Sequence, residues 1–338
     1  MKLIERKTAF VALGHRLQNI TDEEFTALAG AARASNGWFT EESIALAMKG
    51  IVKMLSETQL TEWLSRYPEE VKTPRKIGVV MAGNIPFVGF HDLLSVLISG
   101  HQLQAKLSSQ DQVLMNFLIS EIKQIAPEFS IDTPERLTEA DAYIATGSDN
   151  SARYFHYYFG KKPHVIRKNR TSVGILTGNE TAEDFAALAT DIFTYYGLGC
   201  RNVSKVFYPK DFDLNEVIDN FERFSSVANH HKYRNNYDYN KSILLVNRVA
   251  HKDNGFLLLR ENDGLVSPIS VLFTQAYDSY EGCAAKVNDM ADKIQCIVSG
   301  DQSDHFRRPV VPFGGAQQPS VWDYADSVDT MEFLHKLT

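Results

Sequence analysis

Apolar positions recur along this chain with two different periods, and the periods divide it into segments. From residue 1 to about 70 the reading is helical. Thr21-Asp22-Glu23-Glu24 has the pattern of a capping box and opens one helix, and Thr40-Glu41-Glu42-Ser43 opens another. Pro74 closes this region. Short apolar runs then alternate with helical stretches. Residues 77–82 and 103–107 predict buried strands with a helix over 87–98 between them. A strand over 142–146, a helix over 150–158 and a strand over 165–167 follow. That alternation predicts βαβ units and a mostly parallel sheet.

A second series begins at 173–176. It continues through a helix over 182–196 and strands over 205–208, 243–247, 256–260, 269–273 and 294–298. Between them, residues 229–240 (NHHKYRNNYDYN) form a polar, aromatic interruption that reads as a long loop. The boundary between the two series is expected near 169–172, with no flexible linker, internal repeat or low-complexity tract. The fold class is therefore α/β.

Bulk properties narrow the function classes. A chain of 338 residues suits two domains at about 100–200 residues each. Its 44% apolar and 23% charged residues are an ordinary globular mixture. A formal charge of −7 gives no basic footprint, so nucleic acid is not the expected partner. No apolar run approaches the roughly 20 residues of a membrane span. The opening MKLIERKTAF is too charged for a signal peptide. Three cysteines, Cys200, Cys283 and Cys296, lack metal spacing and read as reduced thiols, so a cytoplasmic protein without a metal site is expected.

The chemistry concentrates on Cys200, in Gly197-Leu198-Gly199-Cys200-Arg201 after the amphipathic stretch 182–196. Glycines before a thiol let the backbone turn tightly and leave the sulfur unshielded. A thiol with a pKa of about 8.5 is only slightly ionised at neutral pH yet is intrinsically very nucleophilic. Cys283 and Cys296 fall in apolar stretches and read as core. No G-x-G-x-x-G occurs, so the ordinary dinucleotide fingerprint is absent. Four segments nevertheless come in a fixed order: Gly83-Asn84-Ile85-Pro86 after the first strand, Ala105-Lys106-Leu107-Ser108-Ser109 ending the second, Thr146-Gly147-Ser148 opening a helix, and Pro312-Phe313-Gly314-Gly315 near the C-terminus. Alone, each is an ordinary turn or cap.

Together with the cysteine, about 50 residues after Thr146-Gly147-Ser148, they resemble the aldehyde dehydrogenase superfamily. The wider pattern of VMAGNIPFVGFHD, ATGSDNSARYF and YYGLGCRNVSK is similar to its acyl-CoA reductase branch, which includes the reductase of bacterial bioluminescence fatty-acid reductases. The resemblance covers roughly residue 77 to the end and none of the first 70. It implies an aldehyde-dehydrogenase-like fold: a helical N-terminus and Rossmann-type NADP-binding domain over 1–168, an α/β catalytic domain over 169–317, and a C-terminal tail over 318–338. Cys200 is the implied nucleophile. The Asn84 amide and the Cys200 backbone N–H are the implied oxyanion donors, the loss of one such donor typically slowing a reaction about 10²–10³-fold. Asn84 also reads as a turn former before Ile-Pro. Gly147 and Ser148 are implied at the cofactor pyrophosphate, where a helix N-terminus favours anions. Lys106 matches the ribose-binding lysine. Ser108 and Ser109 stand where NAD-preferring members often carry glutamate, so NADPH is expected over NADH. Glu261, in Arg260-Glu261-Asn262-Asp263-Gly264, is the implied glutamate at the nicotinamide ribose and reads equally as a strand-end carboxylate.

One departure carries as much weight. The hydrolytic members place a water-activating glutamate about 34 residues before the cysteine, and here that stretch is PHVIRKNRTS (163–172), without a carboxylate. Water attack on a thioester lacks its base. The expected reaction is NADPH-dependent reduction of a fatty acyl-CoA to the aldehyde through a Cys200 thioester, with release of coenzyme A. An acyl-protein synthetase partner and a homo-oligomer are implied by the relatives. The alternatives are a hydrolytic NAD(P) aldehyde dehydrogenase and a catalytically inactive relative serving as a binding or assembly module. Arg167, Lys168 and Arg170 read as a solvated face. His230, His231, Lys232 and Arg234 read either as a solvated loop or as a grip on coenzyme A. Arg307-Arg308 is equally ambiguous, and Phe313 and Trp322 suit either a tunnel or the core.

Overall fold

Helix starts in this chain are set by side chains that satisfy the orphan N–H groups of the first turn. Thr21 accepts from the Glu24 N–H at 3.2 Å while the Glu24 carboxylate takes the Thr21 N–H at 3.1 Å, closing the expected box. The structure is a computed structural model describing residues 1–69, 71, 73–137 and 139–337. Four helices come first: α1 (Leu3–Gln18), α2 (Asp22–Ser35), α3 (Glu41–Met54) and α4 (Glu57–Leu64). The βαβ alternation follows as β1 (Lys76–Val80), α5 (Phe90–Ser99), β2 (Gln102–Lys106), α6 (Gln112–Ile125), β3 (Ile131–Asp132), β4 (Ala142–Thr146), α7 (Asp149–Phe159) and β5 (His164–Arg167). All five strands are parallel, in the order β3-β2-β1-β4-β5.

The second series contains β6 (Thr171–Ile175), α8 (Ala182–Phe193), β7 (Val203–Pro209), α9 (Leu214–Asp219), α10 (His231–Val246), β8 (Lys252–Asp253), β9 (Leu258–Glu261), β10 (Val271–Tyr277), α11 (Tyr280–Asp289), β11 (Ile294–Ser299) and β12 (Val310–Val311). Its sheet runs β12-β11-β6-β7-β10-β9-β8 and is parallel except for β8 against β9. The last segment ends in α12 (Thr330–His335). The chain divides into two units, residues 1–169 with 319–338, and residues 170–318.

In the first unit Trp63, Ile77, Val79, Leu93, Leu97, Leu103 and Leu118 lie in one core with Val321, Met331 and Leu334 of the returning segment. Polar ties secure that return. Trp63 Nε1 donates to Tyr324 Oη at 2.6 Å. Arg167 of β5 holds both oxygens of Asp92 on α5 at 2.7 and 2.8 Å and donates to Thr330 Oγ1 at 2.6 Å. All three residues are buried, so the expectation of a solvated face over 167–170 fails at Arg167. Arg170 is half-buried and donates to the Ile294 carbonyl, while Lys168 is exposed.

Three further expectations are corrected. Residues 231–246 form α10, so neither the loop over 229–240 nor the strand over 243–247 exists. Tyr233, Tyr237, Asn240 and Leu244 make up the buried face of that helix at helical spacing, while Leu245 and Val246 are exposed. The helix over 182–196 stops at Phe193. Tyr195 and Tyr196 then adopt left-handed backbone, φ +52° and +57°, which α-helix cannot continue through.

Candidate active site

In the first unit, three predicted segments gather at the carboxyl ends of β1, β2 and β4. The strand order reverses at β1, which has β2 on one side and β4 on the other. In open parallel sheets such a reversal leaves a crevice beyond the strand ends where ligands bind. Gly83 and Asn84 leave β1, Lys106 ends β2 with Ser108 and Ser109 following, and Gly147 and Ser148 leave β4. Asn84, Ser109 and Ser148 are exposed, and Lys106, Ser108 and Gly147 are half-buried. Gly83 lies so close to Ser108 that a Cβ there would strike its side chain. Ser148 caps α7, accepting from the Ser151 N–H at 3.2 Å. At Gly147 a Cβ would come within 2.9 Å of Phe155 and of Ser151, which fixes glycine at this turn by packing.

Asp111, which precedes α6, was not singled out by sequence reasoning. It is 2% exposed and faces the backbone N–H groups of Phe87 and Val88, in the loop that carries Asn84. Burial pushes its carboxyl up to about 8, and those two N–H groups offset only part of the effect. Phe87 itself sits at φ +58°, a conformation the packed loop must hold in place.

In the second unit, Cys200 is exposed whereas Cys283 and Cys296 are buried, as expected for core thiols. Burial raises the Cys283 thiol to about 12, which leaves it inert. Cys200 lies in the turn Gly199–Asn202, closed by the Asn202 N–H on the Gly199 carbonyl at 3.1 Å. Ser172 Oγ donates to the Cys200 carbonyl at 3.1 Å and also meets Cys296 Sγ at 3.1 Å. The Pro312-Phe313-Gly314-Gly315 segment belongs to the same neighbourhood. Gly314, at φ +78°, and Ala316 donate their N–H groups to the Asp191 carboxylate at 2.6 and 3.0 Å. Asp191 projects from α8 among Phe185, Leu188 and Ile192, fully buried, and burial lifts it to about 7. A carboxylate on the apolar face of an amphipathic helix was the available signal for it. Phe313 is half-buried.

Glu261 takes a different place. It ends β9 in one row with Thr274 and Val206, three residues into β7, whereas Cys200 precedes the start of that strand. At roughly 3.3 Å per residue, about 10 Å of strand separates Val203 from Val206. The structure does not bring Glu261 to the cysteine end of the sheet. The loop after it is fastened by Lys205, a buried amine that donates to the Asn262 and Gly264 carbonyls at 2.8 and 3.1 Å. Burial pulls that amine down to about 8. Arg308 donates to the Ala291 carbonyl, and His230 caps α10 through the Tyr233 N–H at 3.4 Å. Among the described residues no group of three His, Cys, Asp or Glu side chains is placed to hold a metal, and no helix is long and apolar enough to cross a membrane.

Solved structures share this architecture. An aldehyde dehydrogenase of Mycobacterium tuberculosis complexed with NAD+ matches with a TM-score of 0.68 over 100% of this chain and 84% of its own, at 14% identity. An indole-3-acetaldehyde dehydrogenase in complex with NAD+ matches with 0.71 over 98% and 82%, at 12% identity. The fold is that of an aldehyde dehydrogenase. Within that class, residues 15–229 match the family model "Acyl-CoA reductase (LuxC)", and the chain belongs to this family. The match reaches back into the N-terminal helices, beyond the limit of residue 77 expected from the motifs. The chain is also similar to the long-chain acyl-protein thioester reductase of Aliivibrio fischeri, 26% identical over 216 residues, 56% of this chain. It spans 44% of that relative's length.

Proposed function

We propose that the protein reduces a fatty acyl thioester, carried on coenzyme A, to the aldehyde, with NADPH as reductant. The observation that carries the reading is the contrast at Cys200: an exposed cysteine on a turn whose supporting side chains are buried. Family membership and the absence of a carboxylate from 163–172 support it.

The Cys200 thiolate attacks the acyl carbonyl, and the oxyanion that forms accepts a hydrogen bond from the Cys200 N–H, with the Asn84 amide as the further donor that the family resemblance implies. Coenzyme A leaves as its thiol, taking up a proton, and the acyl group stays on Cys200 as a thioester. NADPH, when bound, supplies the hydride that reduces this thioester carbon. The second oxyanion is held in the same way, and its collapse frees the aldehyde and returns the Cys200 thiolate. With no carboxylate in 163–172 to deprotonate water, hydrolysis of the thioester is disfavoured.

The crevice at the ends of β1, β2 and β4 fits a dinucleotide on its own features. Gly83 and Gly147 pack where a Cβ would strike Ser108 and Phe155 respectively, and the first turn of α7 offers N–H groups to a pyrophosphate. Lys106, Ser108 and Ser109 would hold the adenosine ribose. The carboxylate in that segment, Asp111, is turned inside, so nothing there opposes a 2′-phosphate. An acyl-protein synthetase is a further acyl donor consistent with the reading.

Purified protein given a long-chain acyl-CoA and NADPH should consume the reductant and release free thiol in equal amounts, faster than with NADH. Cys200→Ala should abolish both signals, and Asn84→Ala should slow them about 10²–10³-fold. Free acid in place of aldehyde, or full activity in Cys200→Ala, would overturn the proposal.

A further inference from the structure

We infer that Asn202 is the positioning residue for the Cys200 nucleophile, an inference that rests on the reading of Cys200 given above. Asn202 is 2% exposed. Its amide oxygen accepts from the Gly199 N–H at 2.8 Å. Its amide nitrogen donates to the carbonyls of Asp191, Ile192 and Thr194 at 3.0, 3.2 and 2.8 Å. Those carbonyls belong to the end of α8, where the helix leaves acceptors without intrahelical partners. One primary amide offers two N–H donors and an acceptor oxygen, and here both sides are engaged. Its orientation is settled by the same count, because a flipped amide would turn its oxygen toward three carbonyls.

The consequence falls on the residue between the anchors. Gly199 is held by the Asn202 side chain, and the Asn202 carbonyl is held by the Ser172 N–H at 3.1 Å and Thr171 Oγ1 at 3.2 Å. The Cys200 carbonyl is fixed by Ser172. The backbone of Cys200 is thereby set on both sides while the residue stays exposed. Asn202 also joins the turn to the stretch of α8 whose Asp191 carries the Gly314 turn, so cysteine and glycine motifs share one support. An oxyanion donor must point where charge develops, and a displacement of about 1 Å is worth about 10²-fold in rate. Asn202 touches no reacting atom; it acts through the Cys200 backbone.

The test compares two reactions of the Cys200 thiol in the full chain. Acylation by p-nitrophenyl acetate passes through an oxyanion, whereas alkylation by iodoacetamide needs only an accessible sulfur. Asn202→Ala should slow acylation about 10²-fold and alkylation less than about three-fold. Asn202→Asp keeps the acceptor, and while protonated also one donor. Its acylation rate relative to wild type should be near full at low pH and fall as the introduced carboxyl ionises against the carbonyls. Ile297→Val, a core change in the same sheet, should lower thermal stability without separating the two rates. Wild type failing to act on acyl-CoA would remove the proposed function, yet the ester readout would still decide this inference. Equal effects of Asn202→Ala on both reactions, or none on either, or wild-type acylation no faster than that of free cysteine, would overturn it.

Discussion

Asp111 shows how one side chain can bear on both stability and the site. Its carboxyl lies under the loop of Asn84, raised by burial to about 8 against about 3.9 in an unfolded chain. The folded state thus binds this proton more tightly than the unfolded state does. The stability it contributes is fully present below about pH 4 and is lost as pH rises through 8. Asp111→Asn removes the ionisable proton while keeping the shape. Relative to wild type it should be more stable at pH 8 than at pH 5 by about 1 kcal/mol or more, roughly 2–4 °C in Tm for a domain of 150–250 residues. Urea titrations at the two pH values check this, and a difference that does not change with pH would show Asp111 ionised in the folded protein. The residues that support Cys200 were hidden from sequence reasoning for a related reason. Asn202 and Ser172 are small polar side chains whose importance lies in which backbone groups they meet, and nothing local in YYGLGCRNVSK reveals those partners.

At the level of elements, strands with apolar runs and helices with capping residues were legible, and those lacking such signals were not. The expected strands at 77–82, 103–107 and 142–146 appear as β1, β2 and β4 within a few residues. Helix α10 was missed because His230, an unusual cap, opens it and because its polar majority hid four inward positions, Tyr233, Tyr237, Asn240 and Leu244. The two-residue strands β3, β8 and β12 are too short to show any period. Arg167 illustrates a tertiary cause: a basic run suggested solvent, yet β5 is joined through it to α5 and α12. Asp92→Ala leaves that guanidinium buried without its carboxylate and should cost about 3–5 kcal/mol in denaturant unfolding. Asp92→Leu combined with Arg167→Met should recover most of the loss. A single-variant loss under about 1 kcal/mol would mean that the guanidinium keeps another partner or reaches water.

For the whole molecule, the proposed reaction uses two groups that the motifs single out, the Asn84 amide and the Cys200 thiol. The order of motifs singled both out, because each sits beside glycine or proline at a strand or helix end, where sequence constrains backbone strongly. Glu261 was assigned from the family's E-x-x-G pattern, and it ends β9 in one row with Val206, midway along β7. The central claim is that Cys200 is transiently esterified by the substrate. Intact-mass spectrometry of the protein mixed with palmitoyl-CoA, with no reductant present, tests it most directly. The account predicts one added palmitoyl group on Cys200, absent from Cys200→Ala and discharged when NADPH is added. An unmodified mass in wild type, or an adduct that persists in Cys200→Ala, would contradict it.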